Sequence, residues 1–141
     1  MRLLFLAACC LCASAMAQPA GYVKTVAGEA SIVSASGTQP ARPGAALSIG
    51  DTVRTGPDGS LGVTLKDNTM LSFGPSTSFT LEDFLFAPAQ GQLQLGGSIA
   101  TGTLQYISGT IAKLRPEAVK IKTPSGIVGV RGTRFVVVAQ P

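Results

Sequence analysis

Apolar and polar residues alternate along much of the chain, which is the spacing of a half-buried β-strand. In the central part the apolar residues share odd numbers: Leu47, Ile49, Val53, Leu61, Val63, Leu65, Leu71, Phe73, Phe79, Leu81 and Leu85. Turn-forming residues interrupt them at Gly50-Asp51, Gly56-Pro57-Asp58-Gly59, Lys66-Asp67-Asn68 and Gly74-Pro75-Ser76. Short strands separated by closely spaced turns predict an all-β domain.

The flanking regions predict further strands. Two of them, Tyr22 to Val26 and Ala30 to Val33, precede a stretch from Ser34 to Gly44 with two glycines and two prolines. That composition predicts a loop that tolerates insertion. Downstream, apolar residues on either side of Gly96-Gly97 predict two more strands. No stretch shows helical periodicity.

Phe84 and Phe86 break the odd-numbered pattern. On a regular strand they lie on the face opposite Leu81 and Leu85. Either this strand is buried on both faces, which we favour, or the two aromatic rings are exposed. Exposed rings would form a candidate partner surface.

The last third of the chain predicts the strands around which the rest is organised. Val119 to Thr123 alternates apolar side chains with lysines, and Pro124 ends that strand because it has no amide hydrogen. Ile127 to Val130 is a short apolar run. Phe135 to Val138 is a continuous apolar run, which is typical of a strand buried on both faces.

The bend between these runs carries a sequence signature. Thr123-Pro124-Ser125-Gly126-Ile127-Val128-Gly129-Val130-Arg131-Gly132-Thr133-Arg134-Phe135 resembles the C-terminal signature of the FecR domain family. The first half of that family's pattern is similar to Gly50-Asp51-Thr52-Val53-Arg54-Thr55-Gly56, then Gly59, Leu61 to Asp67 and Leu71 to Ser76. The resemblance covers about residues 45 to 138.

Most signature residues have the chemistry of turns, so we expect them to be structural: Gly50, Asp51, Thr55, Gly56, Thr123, Pro124, Gly129, Val130, Arg131, Gly132 and Thr133. Glycine accepts unusual dihedral angles, and Asp51 and Arg131 can hydrogen-bond to turn backbone. The resemblance implies a β-solenoid-like stack of short strands, with a β-sandwich as the alternative.

The resemblance also implies a function in the bacterial envelope. The family includes regulators with a cytoplasmic segment, one membrane helix and a periplasmic domain that reads an outer-membrane receptor. Here a predicted leader stands in place of the cytoplasmic segment, and no second apolar run of about 20 residues follows. The sequence therefore predicts one FecR-like domain over residues 18–141, acting as a binding module.

The N-terminus has the features of a cleavable signal peptide. Arg2 precedes an apolar run from Leu3 to Ala13, and Ala15-Met16-Ala17 fits the small-x-small rule for cleavage. These features predict a leader of residues 1–17. The chain that starts at Gln18 is then expected to be periplasmic or secreted. The alternative is a lipoprotein acylated at Cys9. Cleavage there would leave an unusually short apolar core, which favours the signal peptide.

Composition excludes most catalytic and metal chemistry. The chain has no His, and its three cysteines all precede Gln18. Common nucleophile–base pairs and soft-metal sites are therefore excluded from residues 18–141. No serine-hydrolase or phosphate-loop motif occurs. Adjacent Glu82 and Asp83 would point to opposite faces of a strand. We expect no enzymatic activity and no cofactor.

The charge distribution leaves two partner classes open. Without Arg2, ten Lys and Arg stand against seven Asp and Glu, a net charge of +3. The basic residues Lys113, Arg115, Lys120 and Lys122 lie close together in sequence. They are either a solvated edge that discourages strand pairing or a patch for an anionic envelope polymer such as cell-wall glycan. An envelope protein is the other partner class, and nucleic acid is not expected.

Overall fold

The computed structural model describes residues 18–129 and 132–140, which form twelve strands and one short helix. The strands are β1 (Gly21–Ala27), β2 (Ala30–Ser34), β3 (Gly37–Pro40), β4 (Ala46–Leu47), β5 (Thr52–Thr55), β6 (Ser60–Leu65), β7 (Met70–Phe73), β8 (Ser78–Ala87), β9 (Gln92–Ile107), β10 (Val119–Thr123), β11 (Gly126–Gly129) and β12 (Arg134–Ala139). Helix α1 is Thr110–Leu114, and Pro88–Gln90 and Pro116–Ala118 are 3₁₀ turns. The all-β prediction is confirmed.

Strand β9 joins two arms of one curled sheet. Its first half pairs with β8 on one side and with β10 on the other, in a first arm ordered β3-β2-β5-β8-β9-β10-β11. Its second half pairs with β7 and β12, in a second arm ordered β4-β1-β6-β7-β9-β12. Among these pairings only β9 with β10 is parallel. The finer choice between a solenoid-like stack and a sandwich stays a prediction.

The prediction of two strands around Gly96-Gly97 is wrong, because both glycines lie inside the 16-residue β9. Gly97 pairs with Leu81 of β8, and a Cβ atom at Gly97 would overlap the ring of Phe79. This glycine therefore serves close packing on the core rather than a turn.

The odd-numbered pattern marks the core correctly over most of its length. Nine of its eleven residues are at most 2% exposed: Leu47, Val53, Leu61, Val63, Leu65, Leu71, Phe73, Phe79 and Leu81. Ile49 and Leu85 are the exceptions, at 53% and 42% exposed. Five large residues from the second half of the chain are buried in the same core: Leu95, Ile99, Leu104, Tyr106 and Ile111.

Two local predictions need correction. Ser34 to Gly44 is not entirely a loop, because it contains β3, an exposed strand paired with β2. Residues 110–114 form α1, although no helical periodicity marks them. A five-residue helix is too short to show that period.

The prediction that Phe135 to Val138 is buried on both faces is also wrong. Val137 is 7% exposed, but Val136 and Val138 are 58% and 63% exposed. Strand β12 lies at the edge of the second arm and is covered by the core on one face only. The alternation in β10, by contrast, is confirmed.

Phe135→Ala should reduce the free energy of unfolding by about 2 kcal/mol, below the 3 to 5 kcal/mol typical of a fully buried aromatic. Phe135 is only partly buried, and its ring stacks on Tyr106 with centroids 4.8 Å apart. Urea denaturation measures the change, with Phe79→Ala, at a site 1% exposed, as the core reference. Equal losses in the two variants would show that Phe135 is a full core residue.

Candidate functional site

A bulge in β8 decides where the two predicted aromatic residues lie. Leu81 pairs with Gly97 and Asp83 with Gly96, so Glu82 is an extra residue in β8. One extra residue reverses the side to which all later side chains point. Phe84 and Phe86 therefore turn toward the core and are partly buried against it, while Leu85 turns outward. The favoured prediction, burial on both faces, is wrong for Leu85.

The end of β8 forms one wall of an open groove of about 330 Å³, here called the apolar groove. It is lined by Gln18, Pro19, Ala20, Ile49, Lys66, Phe84, Leu85 and Phe86. The structure thus brings Phe84 and Phe86 together with the two exposed aliphatic residues of the central pattern. Lys66 is the single charged residue among these lining residues, and its Nζ lies 3.5 Å from the Gln18 Oε1.

The predicted basic residues lie in a second groove of about 320 Å³, here called the charged groove. Arg115, Lys120 and Lys122 line it, whereas Lys113 on α1 does not. Three acidic residues line the same groove: Glu82, Asp83 and Glu117. The formal charges of these six residues cancel. The structure therefore offers no continuous basic face from Lys113 to Lys122.

Glu82 is held in its charged form within this groove. Its Oε2 lies 3.1 Å from the Nζ of Lys122. The Ser98 hydroxyl, and after it Lys122, hold the pKa of Glu82 below its ordinary value. Part of the positive charge predicted for an anionic partner is thus already paired inside the domain.

The first half of the family signature lies in turns and short strands. Gly50 has a φ of +92°, and the Oδ2 of Asp51 accepts a hydrogen bond from the Ser48 amide at 2.9 Å. The Thr55 hydroxyl donates to the Gly74 carbonyl at 2.6 Å, and the Gly56 amide donates to the Glu29 carbonyl at 2.8 Å. These contacts support the structural role that we propose for these residues.

The second half of the signature begins in the hairpin between β10 and β11. The Thr123 hydroxyl donates to the Gly126 carbonyl at 3.0 Å around Pro124, and Gly129 pairs with Lys120. Gly132 has a φ of +89°, and the Thr133 carbonyl accepts from the Ser108 amide. Val130 and Arg131 lie outside the described residues, so the role predicted for Arg131 remains a proposal.

One buried polar site was not predicted. The Asp67 carboxylate is fully buried and accepts hydrogen bonds from the Thr69 amide, the Thr69 hydroxyl and the Ile111 amide. Tyr106 lies nearby, and burial raises its pKa to about 12. The sequence predicts the turn at Asp67-Asn68 but does not predict the hydrogen bond between Asp67 and Ile111, which lies 44 residues later.

Within residues 18–129 and 132–140, no group of three or more His, Cys, Asp or Glu side chains is placed to hold a metal ion. No helix in the same residues is long and apolar enough to cross a membrane.

Comparison with known families identifies the class of domain. The FecR protein family model matches residues 51–141, about two thirds of the chain, and the chain therefore belongs to the FecR family. This is a family of signalling and regulatory proteins, generally facing the periplasm. No curated protein and no solved structure matches the chain.

Proposed function

We propose that this chain is an exported, non-catalytic binding module of the bacterial envelope that recognises a partner protein through the apolar groove. Membership of the FecR family supports a signalling-related function in the envelope. The predicted leader of residues 1–17 supports export to the periplasm or beyond.

The observation that carries the proposal is the composition of the apolar groove. Ile49 and Leu85 are 53% and 42% exposed, whereas the other nine residues of the odd-numbered apolar pattern are at most 2% exposed. Phe84 and Phe86 line the same groove and also pack against the core. Their rings therefore add apolar area to the groove while the core holds them in place. Clustered apolar side chains on a surface mark interaction sites, and rigid aromatic residues make effective anchors.

The groove also restricts the chemistry of the partner. Apart from Gln18 and Lys66, the residues that line it are apolar, and Lys66 carries the one charge among them. A protein segment with apolar side chains beside an acidic residue fits this arrangement. The acidic residue would pair with Lys66, while the apolar side chains would cover Ile49 and Leu85.

An anionic polymer is the alternative ligand. The charged groove supports this ligand less well than the apolar groove supports a partner protein. Arg115, Lys120 and Lys122 do meet there, but three carboxylates line the same walls. A polyanion would have to approach those carboxylates, which costs electrostatic energy. Binding to purified cell-wall glycan that weakens with salt and with Lys120→Glu would support this alternative.

Leu85→Asp should abolish specific partner capture while leaving the fold intact. The change places a charge among apolar walls at a position already exposed to solvent, and loss of a central apolar anchor weakens binding by about tenfold or more. A photo-crosslinking residue at position 49 captures the partner in envelope extracts, and the yield of the crosslinked product is compared with and without Leu85→Asp.

Leu114→Asp is the matched control, since Leu114 is 60% exposed on α1 and does not line the apolar groove. It should leave the crosslinked product unchanged. Equal losses in both variants, with unchanged melting temperatures, would show that the partner does not dock in the apolar groove.

A further inference from the structure

Within residues 18–129 and 132–140, the curled sheet has four end strands, which differ in how well they are protected against pairing with another strand. They are β3, β4, β11 and β12. Three of these strands are poor templates: β3 has four residues and ends in Pro40, β4 has two residues, and β11 has four with a glycine at each end. Strand β12 has six residues, contains neither proline nor glycine, and is largely apolar.

The outer edge of β12 is also unpaired within the described residues. In the described part of the chain, β12 pairs with β9 alone, and no turn or side-chain hydrogen bond reaches residues 134–139. On the face turned away from the core, Val136 and Val138 are 58% and 63% exposed. An edge that combines free backbone groups with exposed β-branched side chains is a template for strand addition.

We propose that β12 pairs antiparallel with β12 of a second copy of this chain, around a twofold axis through Val137. A twofold axis perpendicular to the sheet keeps each residue on its own face, so exposed valines meet exposed valines. In this register Val136 lies opposite Val138 of the second copy, and the pairing occurs twice. The four valines then cover one another, and the second arm becomes continuous across the dimer.

The neighbouring positions are complementary in the same register. Phe135 lies opposite Ala139 of the second copy, a large residue against a small one. Arg134 lies opposite the neutral Gln140 rather than a like charge, and Arg134 is the one charged residue of the strand. These pairings make a second copy a suitable occupant of the edge.

A shifted register is less favourable. With Val136 on the axis, Arg134 would face Val138 of the second copy and Phe135 would face Val137. Both pairings are less complementary than those around Val137. The interface uses none of the residues that line the apolar groove, so the dimer does not depend on the partner proposed above.

Sedimentation equilibrium tests the dimer, using the chain from Gln18 onward, which contains every described residue. The mass should rise from monomer to dimer with concentration. Val136→Lys should lower the association constant by about tenfold or more, because it places two lysines in the apolar cluster. Ile127→Lys is the control, since Ile127 is 65% exposed on edge strand β11, and it should leave association unchanged.

Cysteine crosslinking tests the register, because residues 18–141 contain no cysteine of their own. An equimolar mixture of Val136→Cys and Val138→Cys should form a disulfide-linked heterodimer on mild oxidation. Preferential linkage of Val136→Cys to itself would contradict the register. A monomer at every concentration, or an equal effect of Val136→Lys and Ile127→Lys, would overturn the proposal.

Discussion

Asp67→Ala should lower the free energy of unfolding by about 3 kcal/mol or more, because it removes the acceptor of three buried hydrogen bonds. The Thr69 hydroxyl lies 2.7 Å from one carboxylate oxygen, and the Ile111 amide lies 3.1 Å from the same atom. Without the carboxylate, these donors are left in an interior that water does not reach. A single domain has only about 5 to 15 kcal/mol in total, so the variant should be markedly less stable.

Urea denaturation followed by circular dichroism measures this loss. Asp58→Ala is the matched control, because Asp58 occupies another turn of the same half of the chain but is exposed. Its effect should stay within about 0.5 kcal/mol. If both variants lost the same stability, the Asp67 carboxylate would be dispensable and the hydrogen bonds to Thr69 and Ile111 would contribute little.

Asp67 also shows how far turn chemistry can be predicted from sequence. The Asp67-Asn68 pair predicts a turn, and Asn68 does adopt a φ of +70° there. Nothing local indicates that the same carboxylate reaches α1, which has no periodicity of its own. A contact between residues far apart in sequence depends on the folded sheet, and a single sequence does not display it.

Alternation predicted the core well wherever the strands are regular. It failed at the end of β8 because one bulged residue, Glu82, reverses the pattern for Phe84, Leu85 and Phe86. The sequence predicts Phe84 and Phe86 as a partner surface only if their rings are exposed. They are partly buried and line the apolar groove, so their role in binding stays a proposal. The odd number of Leu85 predicts a core position, but Leu85 is 42% exposed, so the pattern does not identify this residue of the groove.

The prediction that Phe135 to Val138 is buried on both faces failed for a different reason. Four consecutive apolar residues are typical of a central strand, but β12 lies at an edge with one face open. Composition describes how apolar a strand is and not how many layers cover it. The exposure of Val136 and Val138 therefore follows from the sheet topology and could not be predicted from composition. These two valines are the basis of the proposed dimer.

Gly102→Ala should also destabilise the fold by about 3 kcal/mol or more, through strain and steric overlap acting together. Gly102 has a φ of +101° at the point where β9 passes from the first arm to the second. A Cβ atom there would overlap the backbone and side chain of Thr77, which is 2% exposed. Thr77 cannot move freely, because its hydroxyl donates to the Gly74 carbonyl at 2.8 Å and accepts from the Thr103 amide at 3.0 Å.

Gly91→Ala separates the two causes. Gly91 also has a positive φ, +68°, but a Cβ atom there would meet nothing within 4 Å. Its substitution should therefore cost only the backbone strain, about 1 kcal/mol. The difference between the two variants in urea denaturation measures the overlap with Thr77 together with the additional strain at the larger φ of Gly102. If Gly102→Ala cost no more than Gly91→Ala, β9 would be able to relax around the added methyl group, and its passage between the arms would not depend on close packing against Thr77.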